Sequence, residues 1–329
     1  MSAPIIAFFN PAGRVGKTTL VYHLAWMFSD VGLKVLAADL DPQANLTAAL
    51  VGETNFEIGG GGTIYTCLEP LILRQGDVSE AETRENNGIS LLVGDLRLSM
   101  FEDSLAAEWP GARGGKPVGL AGTSSFWRIL TKAAVKSTAD VVLVDLGPNL
   151  GAINRAALLA ADCFVVPLKV GLFSSHQGMY TLGQKIRDWR NQWALIREAM
   201  PDSAGYPIGA IEPMGYVVQE RALRLNQESW PYQRWGPLIS SDFRREVLGI
   251  DLKEQEMFEP RLALLKHYHS LMPLAREAQK PMFRLAVADR ATGSQLEAAQ
   301  SVGREYKRLA QRIAERVGLK LPYLSDSAA

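Results

Sequence analysis

The stretch NPAGRVGKTT, residues 10–19, carries residue types that can hold a polyphosphate. Such a ligand needs backbone N–H groups at close approach, a cation and a hydroxyl group for the metal ion that accompanies it. Gly13 and Gly16 allow the close approach, Lys17 supplies the cation for the β- and γ-phosphates, and Thr18 supplies the hydroxyl. We predict a nucleotide-binding loop made of Gly13, Arg14, Val15, Gly16, Lys17, Thr18 and Thr19.

The front half of this stretch departs from the usual pattern. A strict phosphate-binding loop reads G-x-x-x-x-G-K-[ST], which would place a glycine where this chain has Pro11. The triplet Gly-Lys-Thr alone is equally compatible with an ordinary turn between a strand and a helix. Further residues must decide between a working site and a remnant.

Two carboxylate motifs favour a working site. DLDPQANLT begins at Asp39, directly after an apolar run, and VVLVD ends at Asp145. In open α/β sheets, ligands bind beyond the carboxyl ends of the strands, so these acids converge on one crevice. We predict that Asp41 positions a water near the γ-phosphate, with Lys17 and Asp39 as the other catalytic residues. Thr18 and Asp145 are the predicted magnesium ligands.

Short apolar runs would position these residues. PIIAFF (4–9) and LKVLAAD (33–39) are typical of strands buried on both faces, and a helix is expected to begin near Gly16. Strand, glycine loop, helix and strand form a βαβ unit, which requires a parallel sheet. ADVVLVD and CFVVPL predict two more buried strands, and YPIGAIEP (206–213) another.

The rest of the chain is expected to form one domain spanning 1–329. Looser insertions are predicted near 51–90 and 215–260, and PGARGGKPVGLAGTSS (110–125) is interpreted as a loop. The final helix SQLEAAQSVGREYKRLAQRIAERV has an apolar stripe and a basic side, and we expect it to pack on the domain rather than on a membrane.

Composition restricts the class of protein. The 329 residues are 47% hydrophobic and 21% charged with zero net charge, so nucleic-acid binding would need a local basic patch. Cys67 and Cys163 are too few for a disulfide framework and lack metal-site spacing. With no signal-peptide pattern and no membrane-length apolar run, we expect a cytoplasmic protein.

With these motifs in place, the chain resembles the ParA/MinD family of P-loop ATPases, specifically the ParA branch. DLDPQANLT is similar to the family's D-x-D-P-Q-x-N-x-T, and ADVVLVDLGPNLGAINRAALLAADCFVVPL to its Walker B strand and switch region. KHYHSLMPLAREAQKPMFRL resembles its C-terminal region. The resemblance covers most of the chain and implies a P-loop NTPase three-layer α/β fold, with a mostly parallel sheet and helices on both faces.

The resemblance also implies an activity. Family members bind ATP with Mg²⁺, close into a homodimer, bind DNA without sequence preference and hydrolyse ATP slowly until a ParB-like or cargo-adaptor protein stimulates them. They position plasmids, chromosomes or other cargo in the cytoplasm, on the nucleoid. Carried over to this sequence, Lys17 contacts phosphate, Thr18 and Asp145 serve the magnesium ion, and Asp41 positions the water.

One family residue is missing. The family loop reads K-G-G-V-G-K-[ST], and its first lysine reaches the nucleotide of the dimer partner. Here Ala12 stands at the lysine position and Arg14 at the second glycine. Arg14 and Lys169 are the candidate replacement cations, although a solvated arginine and a loop lysine are the alternative interpretation of each.

Basic residues for DNA are expected in the second half of the chain. The candidates are Arg187, Arg190, Arg221, Arg224, Arg244 and Arg245, and interspersed acids leave ordinary solvated helix faces as the alternative.

Two other functions compete with a partition ATPase. A nucleotide-binding scaffold without turnover is favoured by the altered loop, whereas Asp41 argues against it. An electron-transferring ATPase would need cluster-binding cysteines, for which Cys163 is a poor candidate.

Overall fold

The structure is a computed structural model. It describes residues 2–52, 61–169, 176–200, 203, 205–220, 230–250, 259–266, 268 and 270–322.

An eight-stranded sheet forms the centre of the molecule. Its strands are β1 (Ile5–Phe8), β2 (Val35–Asp39), β3 (Arg84–Asn86), β4 (Ile89–Leu92), β5 (Val141–Asp145), β6 (Cys163–Leu168), β7 (Glu212–Glu220) and β8 (Arg261–Lys266). Their order is β3-β4-β2-β5-β1-β6-β7-β8, and every neighbouring pair is parallel except β3 and β4. The central strands β1, β2, β5 and β6 are buried throughout, as expected for a sheet covered on both faces.

Helices cover both faces of this sheet. They are α1 (Lys17–Asp30), α2 (Asn45–Val51), α3 (Ile64–Ile72), α4 (Ser99–Arg113), α5 (Pro117–Thr123), α6 (Ser125–Lys136), α7 (Ala152–Ala160), α8 (His176–Glu198), α9 (Trp230–Asp242), α10 (Met272–Glu277) and α11 (Gly293–Val317). One core joins the sheet to side chains of α3 to α9. The other joins the opposite face to α1, α2, α10 and α11. The predicted three-layer α/β fold is confirmed.

Two sequence-based assignments were wrong. Residues 110–125 were interpreted as a loop, but α4 continues to Arg113 and α5 begins at Pro117. Proline is well suited to the first turn of a helix, and Gly119 allows close packing, since an added Cβ would lie 2.3 Å from the amide nitrogen of Ala112. The residues that suggested a loop therefore serve a tight contact between two helices.

The second error concerns the edge of the sheet. The strand predicted within 206–213 begins only at Glu212 and runs to Glu220, so residues 215–220 belong to the sheet rather than to an insertion. Gly215 lies within this strand at φ 149°, next to the points where the register of β7 shifts against β6 and against β8. The predicted insertion near 51–90 is also more regular than expected, because it contains α3 and β3.

The final helix packs on the domain as predicted. The apolar stripe of α11 is buried, including Val302, Tyr306, Leu309 and Ile313. Among the helices that the structure describes, none has the length and apolar character needed to cross a membrane.

Candidate nucleotide site

The loop between β1 and α1 is fastened to the sheet by Asn10. Its side-chain oxygen accepts from the N–H of Ala12 at 2.8 Å, and its amide nitrogen donates to the carbonyl of Pro167 at 2.7 Å. Arg14 (φ 60°) and Gly16 (φ 83°) turn the chain into α1 with left-handed backbone. Sequence reasoning missed Asn10, because its role depends on a strand 157 positions away.

Lys17 lies inside this loop. Its ammonium donates to the carbonyls of Asn10 and Ala12, both at 2.9 Å, and only 7% of the residue is exposed. Burial lowers the pKa of Lys17, while the carboxylates of Asp145 and Asp41 act in the opposite direction. The cation is therefore already oriented toward the space that the loop encloses.

Space for a phosphate exists above Gly13. A Cβ atom added at Gly13 would meet only the Cβ of Pro148 within 4 Å, at 3.9 Å. Val15 is buried, whereas Thr19 lies in the first turn of α1. The space beside Gly13 is the opening of the predicted nucleotide site.

Three carboxylates meet beside this opening. Asp39 and Asp145 are register partners at the ends of β2 and β5, and Asp41 follows two residues after Asp39. Both oxygens of Asp39 are used within the protein, accepting from the N–H groups of Asp41 (3.3 Å) and Thr47 (2.8 Å). Asp39 therefore fixes the backbone that carries Asp41, whose own carboxylate accepts from Gln43 N–H at 3.0 Å.

Asp145 has one carboxylate oxygen to spare. Its Oδ2 accepts from the hydroxyl of Thr18 at 2.6 Å, whereas its buried Oδ1 has no hydrogen-bond partner. Burial raises the pKa of Asp145 well above its usual range, and Asp39 adds to the rise. Burial likewise raises the pKa of Asp39. A cation at this position would favour the charged carboxylates.

The donors at this point suit magnesium. A hydroxyl and a carboxylate oxygen without a partner are the hard ligands that Mg²⁺ prefers, usually together with substrate phosphates and water. The described residues include no group of three or more His, Cys, Asp or Glu arranged to hold a metal ion. Thr18 and Asp145 therefore fit an ion that arrives with a nucleotide rather than one in a protein cage.

The loop after β5, residues 146–151, closes the opening from the other side. Gly147 lies against Asp41, since a Cβ added there would be 3.3 Å from Asp41 Oδ1. Asn154 holds this loop: its side-chain amide donates to the carbonyls of Gly147 (3.0 Å) and Asn149 (2.8 Å). Asn154 is a second residue that the sequence analysis did not identify.

A cavity of about 240 Å³ continues from the loop past Thr19. Gln219 lies on one side of it, and Met272, Met282 and Tyr306 form an apolar wall. Its position next to the first turn of α1 and its mixed lining suit a ribose and a base. The similarity of KHYHSLMPLAREAQKPMFRL to the family's C-terminal region was the available sign of this wall in the sequence.

The two candidate replacement cations both line this cavity. The ammonium of Lys169 donates to the carbonyl of Arg14, so Lys169 supports the loop within its own chain. Gln219 acts in the same way, donating to the carbonyl of Gly16 at 3.1 Å. Neither contact was anticipated from the sequence.

The candidate DNA-binding arginines have contacts within the chain. Arg187 donates to the carbonyl of Glu246, and Arg190 donates to that of Ile211 at 2.7 Å. Arg245 pairs with Asp242 at 2.8 Å, and Arg244 lies 3.9 Å from Glu259. Trp189 and Trp193 between them are buried. Arg221 and Arg224 lie outside the described residues.

Comparison with known proteins agrees with this geometry. A sequence model of the AAA domain matches residues 3–196, more than half of the chain. The chain is 29% identical over 170 residues to the sporulation initiation inhibitor protein Soj of Bacillus subtilis, which covers 50% of this chain and 58% of Soj. It is 28% identical over 173 residues to a probable plasmid-partitioning protein ParA of Thermus thermophilus, a match that covers 51% of this chain and 45% of that protein. The chain belongs to the ParA/MinD family of P-loop ATPases.

Solved structures show the same fold for this ParA-type chain. A Corynebacterium diphtheriae protein superposes with a TM-score of 0.71 at 21% identity, covering 95% of this chain and 98% of that one. A putative plasmid partition protein of Borrelia burgdorferi bound to AMPPNP has a TM-score of 0.61 at 15% identity, covering 95% and 99%. An ATP complex of Cyanothece McdA has a TM-score of 0.58 at 17% identity, covering 97% and 98%. Against its curated relatives, the chain spans about half of their length.

Proposed function

We propose that this chain is a nucleotide-switched ATPase that closes into a homodimer on ATP, binds DNA without sequence preference and positions a cargo. The observation that supports it most directly is the crevice in which the buried ammonium of Lys17 lies near the Thr18–Asp145 pair and Asp41. The partition proteins among its relatives and the nucleotide complexes among its structural neighbours support the same assignment.

Each residue of the crevice has a part in this proposal. Lys17 and the N–H groups of the loop bind the β- and γ-phosphates, and Asp39 holds the backbone of Asp41 in place. Asp41 accepts a hydrogen bond from the attacking water and so orients it. As a general base, it then accepts the proton that the water releases. Magnesium, held by Thr18 and Asp145, would neutralise charge that develops on the phosphate oxygens.

The cellular setting belongs to the same proposal. A ParB-like or cargo-adaptor protein would stimulate turnover, and the protein would act in the cytoplasm on the nucleoid. Since Ala12 supplies no charge to a dimer partner, Arg14 or Lys169 would have to provide it. Turnover of Arg14→Ala and Lys169→Ala tests this: wild-type rates in both would exclude the two residues as replacements.

A Lys17→Ala variant tests the site itself. We expect loss of binding to a fluorescent ATP analogue by at least about a hundredfold, because the loop would lose the buried ammonium that lies near Asp145 and Asp41. Lys185→Ala, an exposed lysine on α8, is the matched control and should bind like the wild type. Equal binding by wild type and Lys17→Ala would refute the proposed nucleotide site.

Turnover and mass measurements then separate the two candidate functions. A switch should double its mass in ATP but not in ADP and hydrolyse ATP slowly, with acceleration by DNA and partner. The second candidate, a scaffold without hydrolysis, is favoured by the missing lysine at Ala12. It would bind ATP with no turnover under any of these conditions.

A further inference from the structure

Helix α7 follows the loop 146–151 but has no capping side chain of its own. Its N-cap residue is Gly151, and the first N–H groups of a helix need acceptors when they are not solvated. The acceptor comes from another part of the chain. Glu102 on α4 accepts from the N–H of Ile153 at 2.9 Å with one oxygen and from the N–H of Ala152 with the other.

The carboxylate of Glu102 lies close against Gly151. A Cβ atom added at Gly151 would lie 2.3 Å from Glu102 Oε1, so a larger residue at Gly151 would displace the carboxylate. The absence of a side chain at Gly151 thus makes room for a cap from a helix 50 positions earlier. A carboxylate at a helix N-terminus also interacts favourably with the helix dipole.

The two helices are joined at a second point. The guanidinium of Arg155 on α7 lies over the ring of Trp109 on α4, 4.2 Å from its centroid. Trp109 in turn donates to Gln192 of α8 at 3.1 Å. Contacts of Trp109 with α7 and α8 therefore hold α4, the helix that carries Glu102, in place.

The loop 146–151 connects the start of α7, which Glu102 caps, to the opening beside Gly13. The loop 146–151 comes near Asp41 at Gly147 and near Gly13 at Pro148. Cβ atoms added at these two glycines would lie 3.3 Å from Asp41 Oδ1 and 3.9 Å from Pro148 Cβ. Asn149 accepts from the N–H of Gly151 at 2.9 Å, which links the loop to the capped turn. A shift at the start of α7 would therefore move the backbone that lies beside Asp41 and Gly13.

We propose that Glu102 is a positioning residue of the nucleotide site: from α4 it holds the start of α7, and through it the loop 146–151, against Asp41 and the phosphate-binding loop. The proposal rests on the proposed nucleotide function. In that function Asp41 serves the γ-phosphate, so α4 would act on the part of the site where a triphosphate differs from a diphosphate.

Nucleotide discrimination tests this role. In Glu102→Gln, the ratio of ATP to ADP affinity should fall by about tenfold, as for other residues that orient a ligand-binding group, while ADP affinity stays within about twofold. Asp103→Asn is the matched control, because it removes the same charge from an exposed neighbour on α4. An unchanged ratio in Glu102→Gln would overturn the proposal.

Amide hydrogen exchange without nucleotide provides a second readout. Exchange at Ala152 and Ile153 should accelerate in Glu102→Gln and not in Asp103→Asn. If the wild type does not bind ATP at all, the proposed function fails, and exchange still reports on the contact. Unaltered exchange would show that Glu102 does not hold α7.

A double variant separates a local cap from the link to α4. The backbone at Gly151 (φ −84°, ψ −175°) is extended and accepts serine, and Glu102→Ala removes the nearest obstacle to a new Cβ atom. The side chain of Asn149, whose Oδ1 would lie 2.9 Å from that Cβ atom, has to turn away as well. We expect Glu102→Ala with Gly151→Ser to regain thermal stability but not the ATP to ADP affinity ratio. Recovery of both would overturn the role of α4.

Discussion

At the scale of single residues, the loop between β1 and α1 contains a non-glycine residue with left-handed backbone. Arg14 adopts φ 60°, in the left-handed region that a Cβ atom disfavours. Its carbonyl is held by Lys169 through a backbone contact that does not depend on the arginine side chain. The fold thus stabilises a strained residue at the rim of the site.

Replacing Arg14 should relieve this strain. We expect Arg14→Gly to raise the free energy of unfolding by about 1 kcal/mol, because glycine adopts left-handed backbone without steric cost. Thermal or urea denaturation measures the change. Arg113→Gly, at the last residue of α4, serves as the control and should lower stability. A lower stability of Arg14→Gly would contradict the prediction.

Residue identity and spacing predicted part of this site. Lys17, Thr18, Asp41 and Asp145 lie in motifs whose geometry is set by the ends of adjacent elements, so a short stretch of sequence was informative. Asn10, Gln219 and Glu102 act through contacts with segments far away in the chain. No local pattern encodes such contacts, which explains why the sequence analysis missed them.

At the scale of elements, His23 connects the first helix to the C-terminal part of the chain. Its Nδ1–H donates to the carbonyl of Thr19 at 2.7 Å, and its Nε2 accepts from the N–H of Met282 at 3.2 Å. The ring stacks on Tyr306 of α11 with centroids 4.9 Å apart. These contacts require a neutral imidazole, and burial lowers the pKa of His23 to about 4.

This histidine should make stability depend on pH. Between its ordinary pKa of 6.5 and about 4, the unfolded chain binds a proton that the folded chain excludes. The free energy of unfolding should therefore fall with decreasing pH in this window, with a contribution from His23 of about 1.4 kcal/mol per pH unit. Urea denaturation from pH 7 to pH 5 should show a smaller slope in His23→Gln. An equal slope would argue against the buried neutral ring, and His176→Gln on α8 controls for loss of an exposed imidazole.

The candidate DNA-binding arginines on α8 also act at this scale. Arg187 donates to the carbonyl of Glu246 in the π-helical turn Phe243–Leu248 and so joins two elements. We expect Arg187→Ala to lower the free energy of unfolding by about 1 to 3 kcal/mol, because a carbonyl loses a charged donor. The exposed Lys185→Ala on the same helix should leave the melting temperature unchanged. If Arg187→Ala is as stable as the wild type, the prediction is wrong and the contact with Glu246 does not prevent Arg187 from binding DNA.

Element types were more predictable than their edges. Buried apolar runs identified β1, β2, β5 and β6 because strands covered on both faces contain little else. The helix at Pro117–Thr123 was missed because proline and glycine normally mark loops, whereas here they start a helix and permit close packing. Local composition does not distinguish these two uses.

At the scale of the whole molecule, zero net charge means that no overall field attracts DNA. Binding to random duplex would then depend on a local group of cations and should be sensitive to salt. For about six phosphate contacts, affinity should fall about a thousandfold between roughly 50 and 200 mM salt. Titration of labelled duplex at several salt concentrations measures this slope, and binding that does not change with salt would contradict phosphate contacts.

The packing of α11 has a consequence for synthesis. Tyr306 follows the loop between β1 and α1 by almost the whole described chain, yet it lines the cavity beside that loop and stacks on the ring of His23. In a nascent chain from which α11 has not yet emerged, strands can pair, but the ring of His23 stays exposed to water. The cavity then lacks the wall that Tyr306 forms. In the proposed function, nucleotide capture on the ribosome would therefore wait until translation has passed this helix.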